Sequence, residues 1–278
     1  MTELIPLLLW PVIRIFLLVA LICVPFFIYF SVARKKRKEK KAELVDVVLL
    51  PALNQVFSNL HYSANDYIPL QMIMASKMFK GWSTAQGSDY IDGWHNGRHI
   101  QMSDVILTHT ETESRTNSKG ESETYTQIVT DFRGQWVVCD FDKAVTAQLT
   151  ICAGKCSPRT IKKLAESSSI AEMDNTVFNE KYTVLTDNPH DAFYILTPHM
   201  MEYIMAADQQ VRGRLSLEFL PNEKIHIAIN SGRDFFEPKK IWREMDYEQE
   251  RNKVLEEIYS IINMIEQLRL VDTSNRSG

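Results

Sequence analysis

The chain has 278 residues, 31 Lys/Arg against 35 Asp/Glu, a formal net charge of −4, and four cysteines. The charge is uneven: residues 1–41 are net +6 and residues 42–278 net −10. An acidic main part excludes nucleic acid as a partner, because phosphates demand Lys/Arg-rich surfaces. Cys23, Cys139, Cys152 and Cys156 fit a reduced compartment better than a disulfide framework.

In chain order, Leu4–Ala33 is apolar except for Arg14, and Arg34, Lys35, Lys36, Arg37, Lys38, Lys40 and Lys41 close it. A helix needs about 20 apolar residues to cross a bilayer. A central arginine would cost roughly 2.5–3.5 kcal/mol. Placing Ile15–Ala33 across the hydrocarbon avoids this, with Arg14 snorkelling at the far interface beside Trp10; the sharper alternative is a charge inside a helix bundle. The flanks do not suit a cleaved signal peptide. The expectation is one uncleaved span in a bacterial inner membrane, N-terminus outside and the rest cytoplasmic by the positive-inside rule. The lipid bilayer is then the first partner, touched by Trp10, Arg14, Arg34, Lys35, Lys36, Arg37 and Lys38.

Glu43–Leu60 has apolar residues at helical spacing, with Pro51 kinking or restarting it. A second helix is expected over Ile68–Lys80, ending at Gly81. In SDYIDGWHNGRHIQMSDV, Asn96-Gly97 signals a type I′ hairpin. That turn pairs His95 with Arg98, Trp94 with His99, Asp92 with Gln101 and Ile91 with Met102. Alternation puts Ile91, Ile100 and Met102 on one face and Asp92, His99 and Gln101 on the other. His95 and His99 therefore face apart, which argues against zinc between them.

Strands follow over Asp104–Thr112 and Thr124–Phe132, around a polar, solvated tip. Arg133-Gly134 reads as a turn into Trp136–Phe141, and Thr146–Cys152 continues an antiparallel meander. Cys152 and Cys156 have no partner pair to complete a zinc site. A short basic helix over Pro158–Ser167, a connector, a strand over Tyr182–Thr186 and a turn at Asp187-Asn188-Pro189 come next. Thr197-Pro198 starts a helix running to Val211. Arg214–Leu220 and Lys224–Asn230 close as a hairpin.

In Lys239–Leu270, Val254, Ile258, Ile261, Ile265 and Leu268 form a heptad-like seam. It packs on its own domain or on the Glu43–Leu60 helix, or it serves a protein partner or self-association. The fold class expected is α+β: one transmembrane helix, an antiparallel β-meander domain with packed helices, and a long C-terminal amphipathic helix. The organisation reads as anchor 1–33, polybasic run 34–41, helical connector 42–81, α+β domain 82–238 with a subdomain split near 157–180, helix 239–270 and tail 271–278.

The ordered pieces Tyr90-Ile91-Asp92-Gly93, Ser103-Asp104-Val105, Phe132-Arg133-Gly134, Asp140-Phe141, Tyr182 to Asp187, Tyr194-Ile195-Leu196-Thr197-Pro198 and Phe235-Phe236-Glu237-Pro238 resemble a bacterial, membrane-anchored family known only as a domain of unknown function. The resemblance spans roughly residues 60–238 and implies an α+β cytoplasmic domain without transferring catalytic residues. No phosphate-binding loop, dinucleotide fingerprint, zinc-protease or nucleophile-elbow motif occurs. Neither catalytic nor metal-binding residues are assigned, and no cofactor is expected. The leading reading is a membrane-tethered interaction or scaffolding module. The alternatives are an enzyme gathering Asp92, His95, Asp140, Asp187 or His190 in a deep pocket, and a lipid- or small-ligand-binding domain with a large apolar cavity.

Overall fold

The structure, a computed structural model, describes residues 27, 29, 31–36, 39–116, 122–141, 145–154, 169–234 and 246–273. Among these, no helix is long and apolar enough to cross a membrane. The expected span lies outside the described residues for most of its length, as do Trp10, Arg14, Arg37 and Lys38. So does the basic helix expected over Pro158–Ser167.

The chain divides into two compact units, Met1–Pro51 with Pro238–Arg251, and Ala52–Glu237 with Asn252–Gly278. In the first, residues 31–36 and 39–44 are helical, with Arg34, Lys35 and Lys36 exposed. A π turn follows at Val45–Leu49, and α1 (Leu50–Val56) restarts the regular helix. Pro51 is the cause: it has no N–H to give the turn behind it.

In the second unit the helix expected to reach Leu60 stops at Val56. Ser58–Ser63 is instead strand β1, paired with β2 (Thr84–His95). The helix expected over Ile68–Lys80 shrinks to α2 (Leu70–Ala75). β3 (Arg98–Thr116) and β4 (Ser122–Asp140) are 19 residues each. Arg133-Gly134 is therefore no turn but the middle of one strand, so Trp136–Phe141 is not a separate element. β5 is Leu149–Ala153, β6 Ser169–Ala171 and β7 Tyr182–Thr186. β8 (Arg214–Leu220) and β9 (Lys224–Asn230) form the expected hairpin.

The nine strands among the described residues make one antiparallel sheet in the order β1-β2-β3-β4-β9-β8-β5-β7-β6. The meander holds through β4; then β9 and β8 slip between β4 and β5. Strands from both sides of the 157–180 stretch interleave in this one sheet rather than forming two subdomains. The hairpin register is the one Asn96-Gly97 dictates, His95 opposite Arg98 and Ile91 opposite Met102, with positive φ at Asn96 (49°) and Gly97 (77°).

Three helices have caps that explain their starts. Asn175 accepts from Phe178 N before α3 (Thr176–Lys181). Asn188 accepts from His190 N, which makes Pro189 the first residue of α4 (Pro189–Ile195) instead of the end of a turn. Thr197 accepts from Met200 N ahead of α5 (Pro198–Gln210). The last helix, α6, runs Tyr247–Thr273.

One sheet face carries Leu107, Phe132, Trp136, Val138 and Ala228, which pack with Ile68, Ile73 and Met78 from the segment between β1 and β2. The buried carboxylate of Glu218 fastens that segment down. Its Oε1 accepts from Lys77 N at 2.6 Å, Gln148 Nε2 at 2.7 Å and Thr150 Oγ1 at 3.0 Å.

Candidate functional site

β2 carries a bulge between Ser88 and Ile91, where Asp89 takes φ 56°, a region non-glycine residues rarely adopt. The bulge leaves Asp89 fully buried. Tyr62 Oη donates to its Oδ1 at 2.5 Å and Ser88 Oγ to its Oδ2 at 3.0 Å. Burial and the bond to Asp89 hold the Tyr62 phenol well above its ordinary pKa. Gly87 permits the strands' approach, since a Cβ there would sit 2.4 Å from the Asp104 carbonyl oxygen.

Asp104 stands on β3, 5% exposed, and Asp234 follows the end of β9. One carboxylate oxygen from each of Asp89, Asp104 and Asp234 lies within 4.8 Å of the other two. Beside them opens a cleft of about 130 Å³ lined by Gly87, Ser88, Asp104, Arg133, Arg233 and Asp234. Gln135 is directly opposite Asp104 in the β3/β4 ladder, so both side chains stand on one face. The three acids come from distant parts of the chain, and the sequence reading assigns none of them. Its trace is Asp104 within the Ser103-Asp104-Val105 piece.

The residues weighed for catalysis are not gathered in a deep pocket. Asp92 accepts from His99 Nε2 at 2.6 Å and from Gln101 Nε2 at 3.0 Å, on the face the register predicts. Asp140 accepts from His99 N at 3.2 Å and pairs with Lys224, so Asp92 and Asp140 meet through His99 in a half-exposed network. Burial raises both carboxyls, but His99 on Asp92 and Lys224 on Asp140 outweigh it and hold them low. The arrangement orients an imidazole. Among the described residues no hydroxyl or thiol nucleophile hydrogen-bonds to it.

His95 turns away, its Nδ1 2.7 Å from the Val56 carbonyl at the end of α1 and its Nε2 3.4 Å from Glu266. Asp187 pairs with Lys77 at 3.1 Å, and His190 is exposed. Cys139 and Cys152 are buried thiols, and burial pushes the Cys139 thiol up to about 12. Cys23 and Cys156 fall outside the described residues.

The α6 seam needs correction as a docking surface. Ile258, Ile261, Ile265 and Leu268 are at most 5% exposed in the single chain, and Val254 is half-buried. Tyr203 Oη on α5 donates to the Met264 carbonyl at 3.0 Å, and Asn96 Nδ2 in the hairpin turn donates to Glu266 at 2.6 Å. The seam is core because the sheet unit itself covers it.

The β3–β4 ribbon outruns its neighbours. β2 pairs with β3 as far as Thr108, and β9 with β4 from Gly134. Thr110–Thr116 and Ser122–Ile128 then pair with each other alone among the described residues, an arm about 23 Å long. Ile128 on it is 76% exposed.

The family described as "Protein of unknown function (DUF3137)" matches residues 130–270, a span that begins just before Phe132-Arg133-Gly134. No curated protein matches the chain. A solved structure, the mycobacterial trehalose monomycolate transport factor A (TtfA), is similar with a TM-score of 0.43 and 9% identity, over 84% of this chain and 95% of that one. That likeness is too distant to carry an argument.

Proposed function

Because the chain belongs to the DUF3137 family of unknown function, we propose its role from its own residues: a membrane-tethered cytoplasmic module that binds a partner protein through the β3–β4 arm. The arm carries this reading. Among the described residues, Thr110–Thr116 and Ser122–Ile128 make ladder pairs only with each other, beyond the ends of β2 and β9, and strand edges that outrun a sheet are templates for another chain. Ile128 gives it an apolar contact point.

The tether is the Leu4–Ala33 span, with Trp10 and Arg14 at the outer interface. Arg34, Lys35, Lys36, Arg37 and Lys38 meet the inner headgroups at about 1 kcal/mol per charge. A cytoplasmic reporter fused after Gly278 is active in this topology; a periplasmic one active there rejects it.

A photo-crosslinking residue at Ile128, in intact membranes, tests the arm. It forms a discrete protein adduct, whereas the same probe at Val177, an exposed residue on α3, forms none. Equal labelling at both positions, or none at Ile128, overturns the proposal.

A further inference from the structure

We propose that Asp89, Asp104 and Asp234, with the Gln135 amide, form a binding site for a divalent cation with oxygen ligands, calcium above magnesium. The acids are delivered by three separate elements: the β2 bulge, β3 and the segment after β9. Their nearest oxygens lie within 4.8 Å of one another. Calcium holds oxygens at roughly 2.3–2.6 Å, so no two of its ligands lie more than about 5.2 Å apart, a limit the three acids meet. Magnesium usually keeps several waters and binds through one or two carboxylates, so a set of three carboxylates with an amide oxygen favours calcium. An all-oxygen set with several carboxylates suits hard cations over softer metals.

Gln135 points to the ligand independently of the acids. It is 1% exposed, and among the described residues neither its Nε2 nor its Oε1 has a hydrogen-bond partner. A buried amide with nothing on either end is rare and costly. The ladder sets it opposite Asp104 on the same face, and side-chain amide oxygens are ordinary calcium ligands beside carboxylates.

The three acids also have polar neighbours of their own, as ligating carboxylates commonly do. Tyr62 and Ser88 use one lone pair on each oxygen of Asp89, and a carboxylate has about four such sites in all. The cleft that admits a cation also exposes Arg133 and Arg233, so a guanidinium is the rival source of positive charge. Arg233 itself has Nη2 3.6 Å from Glu257.

The test is terbium luminescence on the full chain in detergent after stripping with a chelator. Terbium shares calcium's preference for oxygen ligands, and Tyr62, bonded to Asp89, sits close enough to sensitise it. The expected result is saturable emission displaced by calcium. Asp234→Asn, on the half-exposed segment after β9, should weaken terbium binding about tenfold or more while the protein stays folded. Gln135→Met should weaken it less, and Tyr62→Phe should dim the emission while calcium still raises the melting temperature. Asp187→Asn, an exposed carboxylate elsewhere, should change nothing. Absence of saturable emission, or emission indifferent to Asp234→Asn, overturns the proposal and leaves the acids neutralised by arginine.

Discussion

Arg251 Nη2 donates to the Val47 carbonyl at 2.9 Å, the carbonyl whose regular helical partner would be the N–H that Pro51 lacks. The helix widens into a π turn, with Leu50 N reaching back to Val45 O, and α6 supplies a side-chain donor from its second turn. Nearby, Tyr247 Oη donates to Glu43 at 2.7 Å. Arg251→Met should therefore loosen this unit by about 0.5–1.5 kcal/mol. Faster amide exchange over residues 48–52, with the sheet amides unchanged, is the expected reading; unaltered exchange there would show the contact contributes nothing.

Gly97 isolates a backbone cost. A Cβ there meets nothing within 4 Å, yet φ is 77°. Gly97→Val should lower stability by roughly 1–2 kcal/mol from conformation alone. A variant melting like wild type would contradict the type I′ turn.

Gly134 shows the opposite case, since an added Cβ would lie 2.0 Å from the Ile229 carbonyl oxygen on β9. β4 and β9 cannot both stay in place around it. Gly134→Ala should cost about 3 kcal/mol or more, well beyond Gly97→Val, in chemical denaturation. Similar losses at the two glycines would mean the β4/β9 pairing is looser than its register implies.

His226 gives the fold a pH dependence of known sign. It is 3% exposed, and burial lowers its pKa to about 4 from an unfolded value near 6.5. Below pH about 6.5 the unfolded chain takes up a proton that the folded chain refuses. Stability contributed by the neutral ring is thus full above that pH and falls by about 1.4 kcal/mol per unit until pH about 4. Glu218, whose Oε2 is 3.8 Å from His226 Nδ1, is raised by burial, so its contribution has the opposite slope. The stability difference between wild type and His226→Gln should shrink as pH drops from 6.5 to 4. A difference that stays flat would mean the ring is already charged in the fold.

What could be read in advance follows from how local its cause is. Asn96-Gly97 fixes the hairpin register within a few residues, and Thr197-Pro198 fixes the start of α5. β1 was hidden because no Gly or Pro separates Ser58–Ser63 from the helix before it; only pairing with β2 makes it a strand. Arg133-Gly134 mimics a turn, although its glycine answers a carbonyl from β9. The acidic cluster depends on the same non-local pairing, which brings Asp234 back to Asp89 and Asp104. No spacing along the chain announces a contact set by strand order.

The α6 seam yields the sharpest test of core against surface, because adjacent residues lie on either side of the boundary. Ile258 is fully buried, while Tyr259 is 41% exposed on the outer side. Ile258→Glu must place an unpaired carboxylate among apolar side chains, which the fold can accommodate only by neutralising it or opening. Tyr259→Glu leaves its charge in water. The first variant should lose upwards of about 3 kcal/mol, the second no more than about 0.5 kcal/mol, by thermal or urea unfolding in detergent. A chain ending at Pro238 should aggregate for the same reason, since removing α6 uncovers what Ile258, Ile261, Ile265 and Leu268 are buried against. If that shortened chain stays monomeric with an unchanged midpoint, the seam is not core, and α6 is free to meet a partner.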